Sequence, residues 1–300
     1  MKTIVVPTFK YPWRNYTYDY VKTVYTEFEQ CGYRIEFSAD LLGSYPVNFA
    51  NSGCFYAVVN NNLVLFDQSE YYDENSWNCV GGVWSRNPPP LSPRYVPEQL
   101  KNPIFKRMMV PFAKYSNNVY PLGPFICTPS KLECLRRKHI ATYSSNVLLS
   151  TNRVYGNAVY TRGIAFSKLN LPKTILMDTS RTTLQDYYKR LETCFASLNI
   201  TGASRYTQDS APIENMLLGV CVISNTFDIK LPFNKQLIAG KHYIRIEDDY
   251  SDINERIMYA FNNREEVKSI GTAAYDLLNE TIVPEKRVEW IEKVIRDYYE

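Results

Sequence analysis

The chain has 300 residues, of which 45% are hydrophobic and 22% charged, with a formal net charge of +3. That length accommodates one large domain or two modest ones, each burying its own core. The weak positive charge excludes a dedicated nucleic-acid binder, and no apolar run nears the roughly 20 residues that a membrane span needs.

Seven scattered cysteines without a CxxC pair, and only two histidines, argue against a disulfide framework or a zinc site. The opening run from Lys2 (KTIVVP) is β-branched and ends in proline, so it reads as a buried strand and not as the apolar core of a signal peptide. A soluble cytoplasmic protein is expected. Tyr16 to Gln30 places Tyr20, Val21, Val24, Tyr25 and Phe28 at helical spacing, closed by Cys31-Gly32. A second strand starts at Tyr33 (YRIEFSAD). Strand, helix and strand in this order open a Rossmann-like α/β domain.

From Cys54 (CFYAVVNNNLVLFDQSEYY), two apolar runs flank Asn60-Asn61-Asn62, which forms either a hairpin or a strand and loop leading to another strand. The second run ends in Asp67 with Glu70 close behind. An acidic residue at the carboxyl end of a strand in an open α/β sheet faces the ligand crevice. The passage from Ser85 (SRNPPPLSPRYVPEQLKNP) is too proline-rich for regular structure, and the proline-punctuated VYPLGPFICTP from Val119 is placed as an inter-domain linker.

The second half alternates more plainly. A strand and its exit loop begin at Lys138 (KHIATYSSN), and a helix lies between Arg153 and Leu169. A strand follows from Lys173 (KTILMDTS), then a helix from Thr182 to Glu192 and a strand from Cys194 (CFASLNITG). A helix begins at Ala211 (APIENMLLG), with Pro212 in its first turn and Gly219 at its end, and a strand starts at Val220 (VCVISN). This alternation implies a parallel sheet covered on both faces. Three terminal helices follow: YSDINERIMYAFNN with Ser251 as N-cap, REEVKSIGTAAYDLLNE, and EKRVEWIEKVIRDYYE. The last carries Val288, Ile291, Val294 and Ile295 on one face beside Trp290.

PIENMLLGVCVISN followed by LIAGKHYIRIEDDYSDINERIMYAFNNREEVKSIGTAAYDLLNE resembles the C-terminal domain of GT-B glycosyltransferases. It is most similar to the group-1 transferases and to the lipopolysaccharide-modifying and protein O-glucosyltransferase group. The likeness runs from about Lys138 to Glu300 and rests on the order and spacing of its pieces. It implies an α/β chain of two Rossmann-like domains facing a cleft: residues 1–125 on the acceptor side, 126–285 binding a nucleotide sugar, and 286–300 crossing back to the first domain. It also implies sugar transfer from a nucleotide diphosphate sugar, UDP type foremost, to an acceptor hydroxyl, with no further cofactor and a monomer or weak dimer.

The resemblance assigns Glu214, in the first turn of its helix, to the donor ribose; its ordinary alternative is a carboxylate stabilised by the helix dipole. Arg153 best matches the arginine that similar transferases set against the diphosphate. Arg162, Lys168 and Arg205 are further cations for it, and Ser144, Ser145, Asn146 and Ser210 offer hydroxyls, an amide or backbone N–H groups. Many retaining members carry a second glutamate eight positions before Glu214, where this chain has Tyr206. That departure favours inversion, in which a carboxylate of the first domain deprotonates the acceptor. Asp67 is the first candidate for that base, then Glu70 and Asp40. His242 and His139 begin strands and read as packing residues. Asp248-Asp249 lies just before a helix and not where a metal-binding acidic pair belongs, so no metal is expected.

The acceptor is read as a glycan, a protein side chain or a modified DNA base, the last as in viral DNA-modifying glucosyltransferases acting in the host cytoplasm. A duplex acceptor needs Arg86, Arg94, Lys101, Lys106, Arg107 and Lys114 to line one rim and contact phosphates. The alternative to an enzyme is a non-catalytic nucleotide- or glycan-binding module on the same fold.

Overall fold

The computed structural model describes residues 1–8, 16–43, 54–67, 101–107, 109, 115–124, 140–150, 158–180, 183–200, 210–225 and 229–300. They form a mixed α/β structure with a six-stranded sheet, a five-stranded sheet and a small two-stranded ribbon.

The first sheet begins as its periodicity predicts, with β1 (Thr3–Pro7), α1 (Tyr16–Gln30) and β2 (Arg34–Ser38). Val21, Val24 and Phe28 form the buried stripe of α1. Gly32, at φ +81°, turns the chain out of the helix where a residue with a Cβ would be strained. A short helix, α2 (Asp40–Gly43), follows. The two Asn-flanked runs form β3 (Cys54–Val59) and β4 (Asn62–Asp67), and β5 (Ile104–Lys106) and β6 (Val119–Pro121) complete a sheet of order β2-β1-β3-β4-β5-β6.

Here the structure departs from a purely parallel Rossmann sheet. Strand β3 runs antiparallel to both β1 and β4, while the β1–β2, β4–β5 and β5–β6 pairs are parallel. The cause is local. Val59 pairs with Asn62, so only Asn60 and Asn61 turn the chain, both at positive φ (47° and 68°), the geometry of a two-residue hairpin. The Asn60 side chain accepts the Thr3 N–H at 3.1 Å and ties the turn to β1. A second correction concerns the linker. Val119–Pro121 is the edge strand β6, where proline removes no ladder hydrogen bond, so the passage out of the first sheet starts beyond it. The proline-rich passage from Ser85 lies outside the described residues.

The second sheet has the order β13-β10-β9-β7-β8 and is wholly parallel. Its elements are β7 (Val147–Ser150), α3 (Ala158–Ser167), β8 (Leu176–Asp178), α4 (Leu184–Thr193), β9 (Ala196–Asn199), α5 (Ser210–Met216) and β10 (Val222–Ser224). The ribbon strands β11 (Lys230–Leu231) and β12 (Lys235–Gln236) come before β13 (Ile244–Arg245). The first strand differs from expectation. Residues 140–144 are irregular and the strand is the VLLS that follows. Tyr143 sits at φ +56°, and its hydroxyl bridges Gly219 O (2.5 Å) and Cys221 N (3.1 Å). The segment is thereby held against the turn that leads into β10 and kept out of the sheet.

Helices α6 (Ile253–Asn262), α7 (Arg264–Asn279) and α8 (Pro284–Tyr299) close the chain. Asp252, and not Ser251, stands at the N-cap of α6; its carboxylate accepts the Glu247 N–H (2.8 Å) and the Arg256 Nε–H (2.8 Å). Helices α6 and α7 contribute Ile253, Ile257, Val267, Ile270 and Leu278 to the core of the second sheet. Helix α8 instead joins the core of the first: Val288, Trp290, Ile291, Val294 and Ile295 pack with Ile4, Val6, Val24 and Phe28. Burying each such aliphatic side chain contributes about 1.5–3 kcal/mol. Trp290 Nε1 donates to Pro121 O (2.8 Å), joining α8 to the end of β6. Among the described residues no helix is long and apolar enough to cross a membrane.

Candidate functional site at the carboxyl ends of the second sheet

In a parallel sheet every strand points its carboxyl end the same way, and ligands gather where successive crossovers leave to opposite faces. From β7 the chain moves outward through α3 to β8. It then returns through α4 to β9 and continues through α5 to β10. Right-handed crossovers place α3 on one face and both α4 and α5 on the other. The Tyr187 hydroxyl of α4 donates to Asn215 Oδ1 of α5 at 2.6 Å, as neighbours on one face do. The switch point therefore lies between β7 and β9.

The carboxyl ends there are polar although the strands are apolar. Ser150 ends β7, Asn199 ends β9, and Ser224 and Asn225 end and follow β10; all four are buried. Asn199 Nδ2 donates to Ser224 Oγ at 3.3 Å, and Ser150 Oγ has no hydrogen-bond partner among the described residues. None of these four was singled out from the sequence. Their signal is a small polar residue ending an apolar run, as in VLLS, ASLN and VISN.

Two sequence-assigned residues, Glu214 and Arg162, lie on the helices that follow β9 and β7. Glu214 is the fifth residue of α5 and lies past its first turn, because the helix begins at Ser210 and not at Ala211; it is 2% exposed. Its neighbour Asn215 donates to Ser197 Oγ of β9 at 2.7 Å, which pegs the helix to the sheet and fixes where Glu214 stands. Arg162 on α3 is buried, and its Nε donates to Ile200 O at 3.1 Å, the carbonyl just past β9. The guanidinium is thus built into the switch point and is not a solvated helix charge. Ser210 begins α5, but its side chain lies outside the described residues, as do Arg153, Arg205, Tyr206, Glu70 and His139. By chain position, Arg153 follows β7 and Arg205 and Tyr206 follow β9, the two strands at the switch point.

Other candidates sit elsewhere. Ser144, Ser145 and Asn146 precede β7 instead of following it, because the strand begins at Val147. They lie at the amino end, away from the crevice. Arg264 holds them there, donating to Ser145 O (2.8 Å) and to Asn146 Oδ1 (3.1 Å). Lys168 Nζ donates to Asp249 O at 2.5 Å and binds the end of α3 to the loop after β13. His242 is buried and accepts the Ile238 N–H on Nδ1 at 2.9 Å; burial, and then the charge of Lys241, holds its pKa below the usual histidine value. Asp249 accepts the Ser251 N–H at 2.9 Å, a turn-stabilising contact. Asp40 is exposed at the start of α2.

Asp67 does end β4 at the carboxyl edge of the first sheet, but its carboxylate is wholly buried against Lys106 Nζ of β5, at 2.9 Å. Arg107, next in sequence, is 4% exposed. Lys106 and Arg107 thus point into the interior and cannot meet DNA phosphates, which removes two of the six basic residues that a duplex rim required. Lys101 is exposed, and Arg86, Arg94 and Lys114 lie outside the described residues. The two sheets touch near these ends: Lys230 N, six residues past β10, donates to Met109 O, three residues past β5, at 2.7 Å. Among the described residues no three His, Cys, Asp or Glu side chains gather as metal ligands.

No protein-family model and no curated protein matches this chain. It is similar in structure to TarM, with 16% identity over 61% of this chain and 40% of that one and a TM-score of 0.40. It is similar also to a glycosyltransferase from Rickettsia africae ESF-5, with 11% identity over 66% of this chain and 64% of that one and a TM-score of 0.41. A mutant of S. aureus TarM in complex with fondaparinux, alpha-GlcNAc-glycerol and UDP gives 14% identity over 61% and 40% and a TM-score of 0.39. The chain therefore spans 40–64% of the length of these solved proteins.

Proposed function

We propose that this chain is a glycosyltransferase that takes a nucleotide diphosphate sugar, UDP type foremost, at the switch point between β7 and β9. The observation that carries the reading is Glu214, buried on the helix that leaves β9 and pegged there through Asn215 and Ser197. It is the position at which the sequence pattern calls for a ribose-binding carboxylate. Arg162, already at the β9 exit, and Arg153 and Arg205, in the segments following the two strands, supply cations for the diphosphate. Ser150 and Ser210 supply hydroxyls.

The two-domain arrangement is part of the proposal. Residues 1–125 form the acceptor side, 126–285 the donor side, and 286–300 the return helix, in line with the packing of α8 on the first sheet and the contact of Lys230 with Met109. The chemistry proposed is metal-independent inversion, since Tyr206 stands where retaining relatives of the pattern carry an acid. The base that takes the acceptor proton comes from the carboxyl edge of the first sheet. Asp67 is engaged there with Lys106, so it serves only if that pair opens, and Glu70 is the other candidate. A glycan or protein hydroxyl is the acceptor favoured, because the burial of Lys106 and Arg107 weakens the basic rim that DNA needs.

A thermal-shift screen with UDP, GDP, ADP and their sugars tests this. A selective ligand at one hundred times its Kd stabilises by about 2.7 kcal/mol. One base should raise the melting temperature, and Glu214→Gln should abolish the rise while leaving the unliganded melting temperature near wild type. No response to any nucleotide would refute the reading. Hydrolysis of the bound donor that is lost in Glu214→Gln separates an enzyme from a module that only binds.

A further inference from the structure

The last turns of α8 stand beside the amino ends of β1 and β4, where Lys2 leads into one strand and Asn62 opens the other. Two contacts hold the helix there. Lys2 Nζ donates to Glu292 Oε1 at 2.5 Å, and the Tyr299 hydroxyl donates to Leu63 O at 2.8 Å. Between these elements opens a cleft of about 550 Å³, within the roughly 300–1,000 Å³ of small-molecule sites. It lies at the opposite end of the first sheet from Asp67 and from the contact of Met109 with Lys230, the full length of β4 away, roughly 17 Å.

The polar groups of the cleft are fixed by one another, which decides the atoms left over. Glu292 spends Oε1 on Lys2 and on the Tyr33 hydroxyl, and Asn60 Nδ2 donates to that hydroxyl at 3.2 Å. Lys2 also stands over the Tyr33 ring, 5.6 Å from its centroid. Asn62 spends Nδ2 on Asn60 O at 3.1 Å. Among the described residues, Glu292 Oε2 and Asn62 Oδ1 then accept no hydrogen bond, and the exposed Arg296 guanidinium donates none. All three residues line the cleft. Its base carries the buried Ile295, and its wall carries Tyr299, a ring 44% exposed although its hydroxyl is tied to backbone.

We propose that this cleft is a carbohydrate-binding site, separate from the crevice of the second sheet and independent of what that crevice holds. A saccharide presents adjacent hydroxyls, each both donor and acceptor, around a ring whose C–H groups are apolar. Recognition needs fixed acceptors and fixed donors side by side, and an aromatic face for the ring. Glu292 Oε2 and Asn62 Oδ1 are the acceptors, Arg296 and Lys2 the donors, and Tyr299 the aromatic face. Charge argues against an anionic ligand: two cations, Lys2 and Arg296, line the cleft with two carboxylates, Glu292 and Glu300. No single sign of field draws in a phosphate, whereas a neutral polyol uses groups of both signs. The hydrogen bonds that hold Glu292, Asn62 and Tyr299 in place lower the ordering cost of binding. The volume suits a mono- or disaccharide.

Saturation-transfer NMR on the whole chain with glucose, N-acetylglucosamine, maltose, cellobiose and chitobiose tests the site. At least one saccharide should receive saturation. Arg296→Ala should weaken its binding about tenfold, the loss of one hydrogen bond to a charged group, with an unchanged melting temperature because Arg296 has no partner in the fold. Tyr299→Ala should abolish the signal. Glu214→Gln and saturating UDP should leave it as it is. Saturation of none of the five sugars, or an undiminished signal in both Arg296→Ala and Tyr299→Ala, would overturn the assignment. Loss in Glu214→Gln or competition by UDP would place the sugar in the crevice instead, and displacement by inorganic phosphate at constant ionic strength would make the cleft an anion site; either result refutes the proposal.

Discussion

Gly271 gives the sharpest test of how tightly the second half is packed. It lies in the middle of α7, on the face turned toward the segment between α5 and β10. A Cβ built there would stand 2.0 Å from the Tyr143 hydroxyl, 2.4 Å from Gly219 O and 3.0 Å from Cys221 N. Two of these neighbours are backbone, and the third is held by hydrogen bonds to both of them at 2.5 and 3.1 Å. None can swing aside alone. Gly271→Ala must therefore push α7 away from the sheet or expel the Tyr143 hydroxyl. Forcing one methyl into a closed core costs about 1–3 kcal/mol. Leaving the buried Cys221 N–H without its acceptor costs about 1–3 kcal/mol more. Helix propensity returns only about 0.5–1 kcal/mol for Gly→Ala. The net loss is about 1–5.5 kcal/mol, read by urea unfolding followed through far-UV circular dichroism. Gly163, in α3, is the matched control: it is also helical, but its Cβ would meet nothing within 4 Å. Gly163→Ala should be stabilising by about 0.5–1 kcal/mol. If Gly271→Ala costs less than about 1 kcal/mol, the close approach of α7 to Gly219 is wrong.

Lys106→Met should destabilise by about 3–5 kcal/mol, because it removes the ammonium that faces the buried Asp67 carboxylate at 2.9 Å, whereas Lys106→Met with Asp67→Leu should recover most of that loss; equal losses in the single and double variants would show that the charge is not what matters. Burial raises the pKa of Glu27 on α1, which makes a thermodynamic prediction as well. Its folded value, about 7, lies above its unfolded value near 4.5, so its contribution is complete below pH 4.5 and is lost as the pH rises through 7. Wild type should lose on the order of 3 kcal/mol more than Glu27→Gln between pH 4.5 and pH 8 in matched denaturation curves, and parallel pH profiles would contradict it. Trp290→Phe removes the bond from Nε1 to Pro121 O but keeps the ring's packing, so a loss of about 1 kcal/mol is expected.

What local patterning determines was legible in the sequence. The apolar stripe of α1, the alternation of strands and helices in the second half and the shared face of Val288, Ile291, Val294 and Ile295 all depend on residues a few positions apart. The placement of Glu214 on the helix after β9 follows from the same alternation. Only tertiary contacts decided the rest. KHIATY and VLLS are adjacent apolar runs of similar strand propensity. The second wins because it pairs with β8 and β9, while Tyr143 is spent on Gly219 and Cys221, 76 and 78 residues away. That choice moved Ser145 from the crevice to the opposite end of the sheet. Asp67 reads as a strand-end acid in sequence, yet its environment is set by Lys106, 39 residues on. Arg287 looks like one more charge on an amphipathic helix until Glu27, 260 residues before it, meets it in the interior. Periodicity reports which face of an element is buried; which charges meet inside depends on how distant elements pack, and a single sequence carries no local trace of that.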